Sequence, residues 1–149
     1  MIHIVVHGAA APAGSKRGFV HPKTNRVIIT DASKRSRPWK ALVTDAAIEA
    51  MDGRPPLGGP LWVEIGIQVM RPKSHHGKRG LLPSAPEWPT VKPDLLKLAR
   101  GVEDALTGVV YNDDSQIVDE RIRKTYGPSA LCDIFVYNEA PSKPLGLKT

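Results

Sequence analysis

A single cysteine, Cys132, occurs in the 149 residues, which excludes an intramolecular disulfide and any zinc site built on paired cysteines. It sits in the apolar run LCDIFVY and is expected to be a buried strand residue. No apolar run approaches the roughly 20 residues of a membrane-spanning helix. The opening MIHIVVHGAA has neither a basic leader nor a long apolar signal core, so a cytoplasmic protein with no membrane partner is expected. Several catalytic patterns are also missing: there is no nucleophile elbow and no His-Glu metal helix. The segment from Gly8 to Lys16, GAAAPAGSK, fails as a phosphate-binding loop because five residues separate its glycines and the Lys-Ser order is reversed. Acidic charge is in deficit, with 15 Asp and Glu against 21 Lys and Arg and a net charge of +6. That balance favours a polyanionic partner, with nucleic acid the first candidate. The length suits one domain over residues 1–149, able to bury a core without covalent or metal staples.

The chain opens with a β-branched run, Ile2 to His7, then a Gly/Ala/Pro/Ser loop through Ser15 that leads to Lys16 and Arg17. Val20 to Ile29 surrounds the turn formers Pro22, Lys23, Thr24 and Asn25 and reads as a small hairpin. From Asp31 to Met51, Trp39, Leu42, Val43, Ala46, Ala47 and Ala50 recur at helical spacing, closed by Asp52-Gly53. Lys34, Arg35, Arg37 and Lys40 crowd the opening of this helix, where phosphate contact and a solvated face are both open readings. Leu61 to Met70 alternates as a strand with Val63, Ile65, Ile67 and Val69 toward the core. A long Pro-rich loop without regular structure is expected at about 71–92, holding Lys78 and Arg79 as candidate DNA contacts and His75-His76 as solvated residues. An irregular tail is expected at about 139–149.

Pro93 suits the first turn of a second helix, Asp94 its positive dipole end, and Thr107-Gly108 its close. Leu95, Leu98, Ala99, Val102, Ala105 and Leu106 share one arc, whereas Leu96 falls on the polar side, where it could pack under a loop or a partner subunit. Beyond Tyr111, the cluster Asn112-Asp113-Asp114-Ser115 forms a turn before a strand from Gln116 to Tyr126. Asp113 and Asp114 fit either a solvated turn or, with Asp94, coordination of a hard cation through carboxylate oxygens. Arg121 and Arg123 lie on one face of that strand and Lys124 on the other. These elements together read as strands and two main helices in one domain.

The segments KPDLLKLARGVEDALTG and YNDDSQIVDERIRKTYG, in this order, resemble the RusA family of Holliday-junction resolvases, particularly phage and prophage members. The resemblance implies an α+β fold, a small mixed sheet packed with two main helices, in a homodimer that cuts four-way DNA junctions symmetrically with Mg2+ or Mn2+, inside a bacterial host cell. It also implies Asp94, Arg100 and Asp114 as catalytic residues and Asp94, Asp113 and Asp114 as metal ligands. The candidate DNA contacts, chosen for their positive charge, are Lys16, Arg17, Lys78, Arg79, Lys97, Arg121, Arg123 and Lys124. Two positions depart from the family pattern. Leu96 stands where the family has a second aspartate and cannot bind a metal. Arg100 stands where it has a lysine, keeping the charge but unable to donate a proton near neutral pH. A junction-binding protein that has lost cleavage, or a general nucleic-acid- or protein-binding module, are the alternatives.

Overall fold

The computed structural model describes residues 1–31 and 33–142, so the tail expected at about 139–149 lies outside the described residues from 143 onward. Residues 139–142 carry no helix or strand. In chain order the elements are β1 (Ile2–His7), β2 (Lys16–Val20), β3 (Val27–Asp31), α1 (Ser36–Met51), β4 (Leu61–Met70), β5 (His76–Gly77), β6 (Gly80–Leu81), α2 (Leu95–Leu106), β7 (Ile117–Gly127) and β8 (Leu131–Tyr137).

β1, β8, β4 and β7 form one sheet in that spatial order. β4 runs parallel to β7 and antiparallel to β8, so the sheet is mixed and the fold is α+β with two helices, as expected. Register places Ile4, Ile134, Ile65 and Ile122 in one row across all four strands. That row lies at the centre of the helix-covered face, where α1 packs on β1 and α2 on β7. β1 alternates strictly, with Ile2, Ile4 and Val6 buried and His3, Val5 and His7 exposed, the pattern of an edge strand covered on one side. The central β4 is buried more continuously, at Leu61, Val63, Glu64, Ile65 and Ile67.

α1 starts at Ser36, five residues later than its periodicity suggested, and ends on Asp52 in the left-handed region followed by Gly53 at positive φ. β2 and β3 form the expected hairpin, but its first strand begins at Lys16, so Lys16 and Arg17 are strand residues rather than loop residues. The hairpin stands apart from the main sheet, with Phe19, Val20, Val27 and Ile29 all exposed.

Three further features correct the sequence reading. The loop at 71–92 is not structureless: it contains a 3-10 turn at Lys73–His75 and the short β5–β6 hairpin. Its start is fastened by Arg71, whose guanidinium lies 4.4 Å from the centre of the Tyr126 ring and donates to Pro86 O at 2.6 Å. Pro93 precedes α2 instead of opening it and follows a cis peptide bond from Lys92; Asp94 takes the N-cap position with extended backbone. Leu96 is 75% exposed, so no loop among the described residues covers it. On the other side of α2, the Gly8–Ser15 loop is laid directly over the helix, with Ala13 N donating to Lys97 O at 2.8 Å. A methyl group on Gly101 would stand 2.8 Å from Ala11 O, so only glycine allows this approach.

Candidate active site and nucleic-acid interface

α2 carries candidate residues at both ends. At its start Asp94 is exposed and makes no side-chain cap; its carboxylate faces Lys97 Nζ at 3.7 Å. Two turns along, Arg100 projects to the surface with its stem over Gly14, where an added Cβ would stand 2.9 Å from Arg100 Cδ. The segment just before Asp94 is tied to β7: Lys124 Nζ donates to Val91 O at 2.7 Å and to Pro93 O at 2.9 Å.

Beyond the far end of α2, the Asp113–Gln116 turn is built by reciprocal capping. Asp113 Oδ1 accepts from Ser115 N at 2.8 Å, while Gln116 Oε1 accepts from Asp113 N and Asn112 N. The Gln116 amide also donates to Leu57 O and Gly59 O, fastening the turn to the lead-in of β4. Hydrogen bonds from the Ser115 side chain and backbone hold the Asp113 carboxyl below the usual carboxylate range. The exposed Asp114 opens onto a cleft of about 330 Å³ shared with Glu103, Asp119 and Glu120.

Inside that cleft, Glu120 of β7 and Glu103 of α2 bring two carboxyl groups together. Burial, then the hydrogen bond and charge of Glu103, push Glu120 up to about 8. Tyr111 is fully buried beside them and donates its hydroxyl to Glu103 O at 3.1 Å. Burial and the Glu103 charge raise its phenol well above the usual range, so it stays protonated. Sequence reasoning missed the Glu103–Glu120 pair. A signal existed: Glu120 shares its side of β7 with Ile122 and pairs with the buried Val63, which marks an inward position for a charged residue.

The candidate metal ligands do not converge within one chain. α2 has 12 residues and so spans ~18 Å between Asp94 and the turn region that follows it. β7 gives an independent measure: Lys124 marks the Asp94 end, Ile117 the Asp114 end, and seven extended residues cover ~23 Å. Oxygen ligands lie within about 2.6 Å of magnesium or calcium, so Asp94 and Asp114 of one chain cannot share an ion. Among the described residues, no three His, Cys, Asp or Glu side chains are grouped to hold one. The three aspartates implied by the resemblance thus do not meet in a single chain.

The candidate DNA contacts fall into separate places. Lys16 and Arg17, with Lys34 just before α1 and Arg37 in its first turn, line a groove of about 870 Å³ that also exposes Phe19 and Ile29. Lys78 and Arg79 are the exposed turn of the β5–β6 hairpin. Lys97 stands beside Asp94. Arg121 and Arg123 lie on the sheet face away from the helices, where Arg121 is close enough to the buried Glu64 to oppose the rise that burial imposes on its carboxyl. Two cations singled out in the sequence are drawn to internal partners. Lys40 pairs with Asp104 at 2.7 Å, joining α1 to α2, and the half-buried Lys124 donates to the backbone carbonyls before Asp94.

The chain is 30% identical over 145 residues to the Uncharacterized protein YqaN of Bacillus subtilis (strain 168), an alignment covering 91% of this chain and 94% of that protein. The family model Endodeoxyribonuclease RusA matches residues 10–137, which take in both helices, all but the first strand and the acidic turn. A match over residues 10–137, most of its length, establishes that the chain belongs to the RusA endodeoxyribonuclease family.

Proposed function

We propose that this protein is a structure-selective endodeoxyribonuclease that binds four-way DNA junctions and resolves them by paired phosphodiester hydrolysis with Mg2+ or Mn2+. The family match over residues 10–137 carries this reading. Paired cuts on a substrate with two-fold symmetry require two equivalent sites, which a two-fold homodimer supplies. The separation of Asp94 from Asp113 and Asp114 along α2 adds a reason to expect that metal-dependent activity rises with dimer formation, testable as activity against protein concentration.

Within each chain, the exposed Asp94 carboxylate serves as acceptor for the proton of an attacking water. Arg100, permanently charged, stabilises negative charge building on the phosphoryl oxygens. Asp114, facing the acidic cleft at the far end of α2, is the second carboxylate of the reaction, contributed to each site by the other chain of the homodimer. Lys16, Arg17, Lys78, Arg79 and Lys97 hold phosphates, giving affinity that falls with salt, while junction shape gives selectivity.

Leu96 supports a second reading, in which the protein binds junctions without cutting them. Its exposed apolar side chain stands at a family carboxylate position. One experiment separates the two: cleavage of a labelled synthetic four-way junction with magnesium or manganese by this chain, Leu96→Asp and Asp94→Asn. Symmetric cuts by this chain, lost in Asp94→Asn, support the resolvase reading. Cuts by Leu96→Asp alone identify a scaffold disabled at one ligand, and equal affinity for linear duplex and junction would sink both readings.

A further inference from the structure

We infer that Lys124 is a positioning residue, which fastens the Val91–Pro93 segment to β7 and thereby sets where the Asp94 carboxylate stands at the head of α2. Lys124 sits on the helix-covered side of β7, in register with the buried Ile67 of β4 and two residues from both Ile122 and Tyr126. The side chain is half-buried there, its stem against that face and its ammonium turned toward the chain ahead of α2. It finds two carbonyls, Val91 O at 2.7 Å and Pro93 O at 2.9 Å, distances suited to charge-assisted hydrogen bonds.

The segment it grips has few other constraints where they matter most. Pro93 has no N–H to donate, and Asp94 makes no side-chain cap onto α2. The Asp94 carboxylate meets Lys97 only at the long distance of 3.7 Å, and both of those side chains are largely exposed. Asp94 O accepts from Leu98 N, the first hydrogen bond of α2, so the carbonyl held by Lys124 lies one residue ahead of the helix's first bonded turn. Arg71 and Tyr126 fix the beginning of the same loop to the same side of β7. The strand therefore holds the crossover at both ends, and the Lys124 end is the one adjoining the proposed reaction carboxylate. This assignment rests on the reading of Asp94 as a residue of the reaction, and it moves Lys124 from phosphate binding to control of backbone geometry.

The test compares Lys124→Met, which keeps the stem and removes the donors, with Lys124→Arg, which keeps charge and donors in a different geometry. Amide hydrogen exchange at Leu98 and the rest of the first turn of α2 reads the positioning directly. Junction cleavage at saturating junction, with magnesium or manganese, reads its consequence, and junction affinity without metal across a salt series reads phosphate contact. The expected result for Lys124→Met is faster exchange in that turn and a kcat about 100-fold lower, the scale of a misplacement near 1 Å. Junction affinity and its salt slope should match the unsubstituted protein, and Lys124→Arg should recover most of both losses. Unchanged exchange in Lys124→Met overturns the inference. So does a salt slope reduced by about one with cleavage intact, which would make Lys124 a phosphate ligand. If the unsubstituted chain cuts no junction, the resolvase reading fails by itself, and the exchange comparison still decides whether Lys124 holds the segment.

Discussion

Glu103 of α2 and Glu120 of β7 meet carboxyl to carboxyl across the seam between helix and sheet, and burial, joined by the hydrogen bond and charge of Glu103, pushes Glu120 up to about 8. Two carboxyl groups can hydrogen-bond only while one is protonated, so this seam is pH-dependent.

The folded pKa of Glu120 is raised above its ordinary value of 4.5. Its stabilising contribution is present in full below pH 4.5, falls as the unfolded chain ionises first, and is gone above about 8. The group is only half-buried, and the resulting solvent screening limits the loss to on the order of 1–2 kcal/mol. Glu120→Gln should therefore raise Tm by about 3–6 °C at alkaline pH and leave it nearly unchanged in acid. Thermal scans at both ends of the range check this, and equal shifts at both would rule out the shared proton.

Gln116 uses its whole side chain, accepting from Asn112 N and Asp113 N and donating to Leu57 O and Gly59 O. Gln116→Ala should destabilise the protein by about 1–3 kcal/mol, since it removes four hydrogen bonds, each of modest net value, from the turn that holds the acidic cleft. Denaturant unfolding would show it. Gln116→Glu should cost nearly as much, because a carboxylate cannot donate to the two carbonyls.

At Gly101 the obstacle is the backbone of the overlying loop, only 2.8 Å from where a methyl group would sit. Gly101→Ala should destabilise by about 1–3 kcal/mol despite the better helix propensity of alanine, because the loop must lift from α2. A neutral or stabilising result in equilibrium unfolding would mean that the loop already moves freely.

The basic groove and the β5–β6 turn make a separate prediction about DNA. Lys78→Glu with Arg79→Glu, or Lys16→Glu with Arg17→Glu, should weaken junction binding and lower the salt slope by about 0.9 for each phosphate that is no longer neutralised. Filter or fluorescence titrations over a salt series measure both quantities. Affinity untouched by either double reversal would remove those residues from the interface.

Local periodicity was enough to determine the two helices, the alternation of β4 and the apolar arc of α2. These patterns follow from the 3.6- and 2-residue repeats of the backbone, which any segment displays by itself. It also exposed Leu96 as an apolar residue on a polar face. The destination of charged side chains required the tertiary structure, because it depends on which strand lies beside which helix. The parallel pairing of β4 with β7 brings Lys124 under Pro93 and Glu120 under Glu103, pairings 31 residues apart in the first case, for which no local pattern exists. The same topology places Asp94 and Asp114 at opposite ends of α2, although their family motifs read as one site along the chain. Sequence order alone carries the residue types of the chemistry, while the length of a helix and the direction of a strand decide which of them meet.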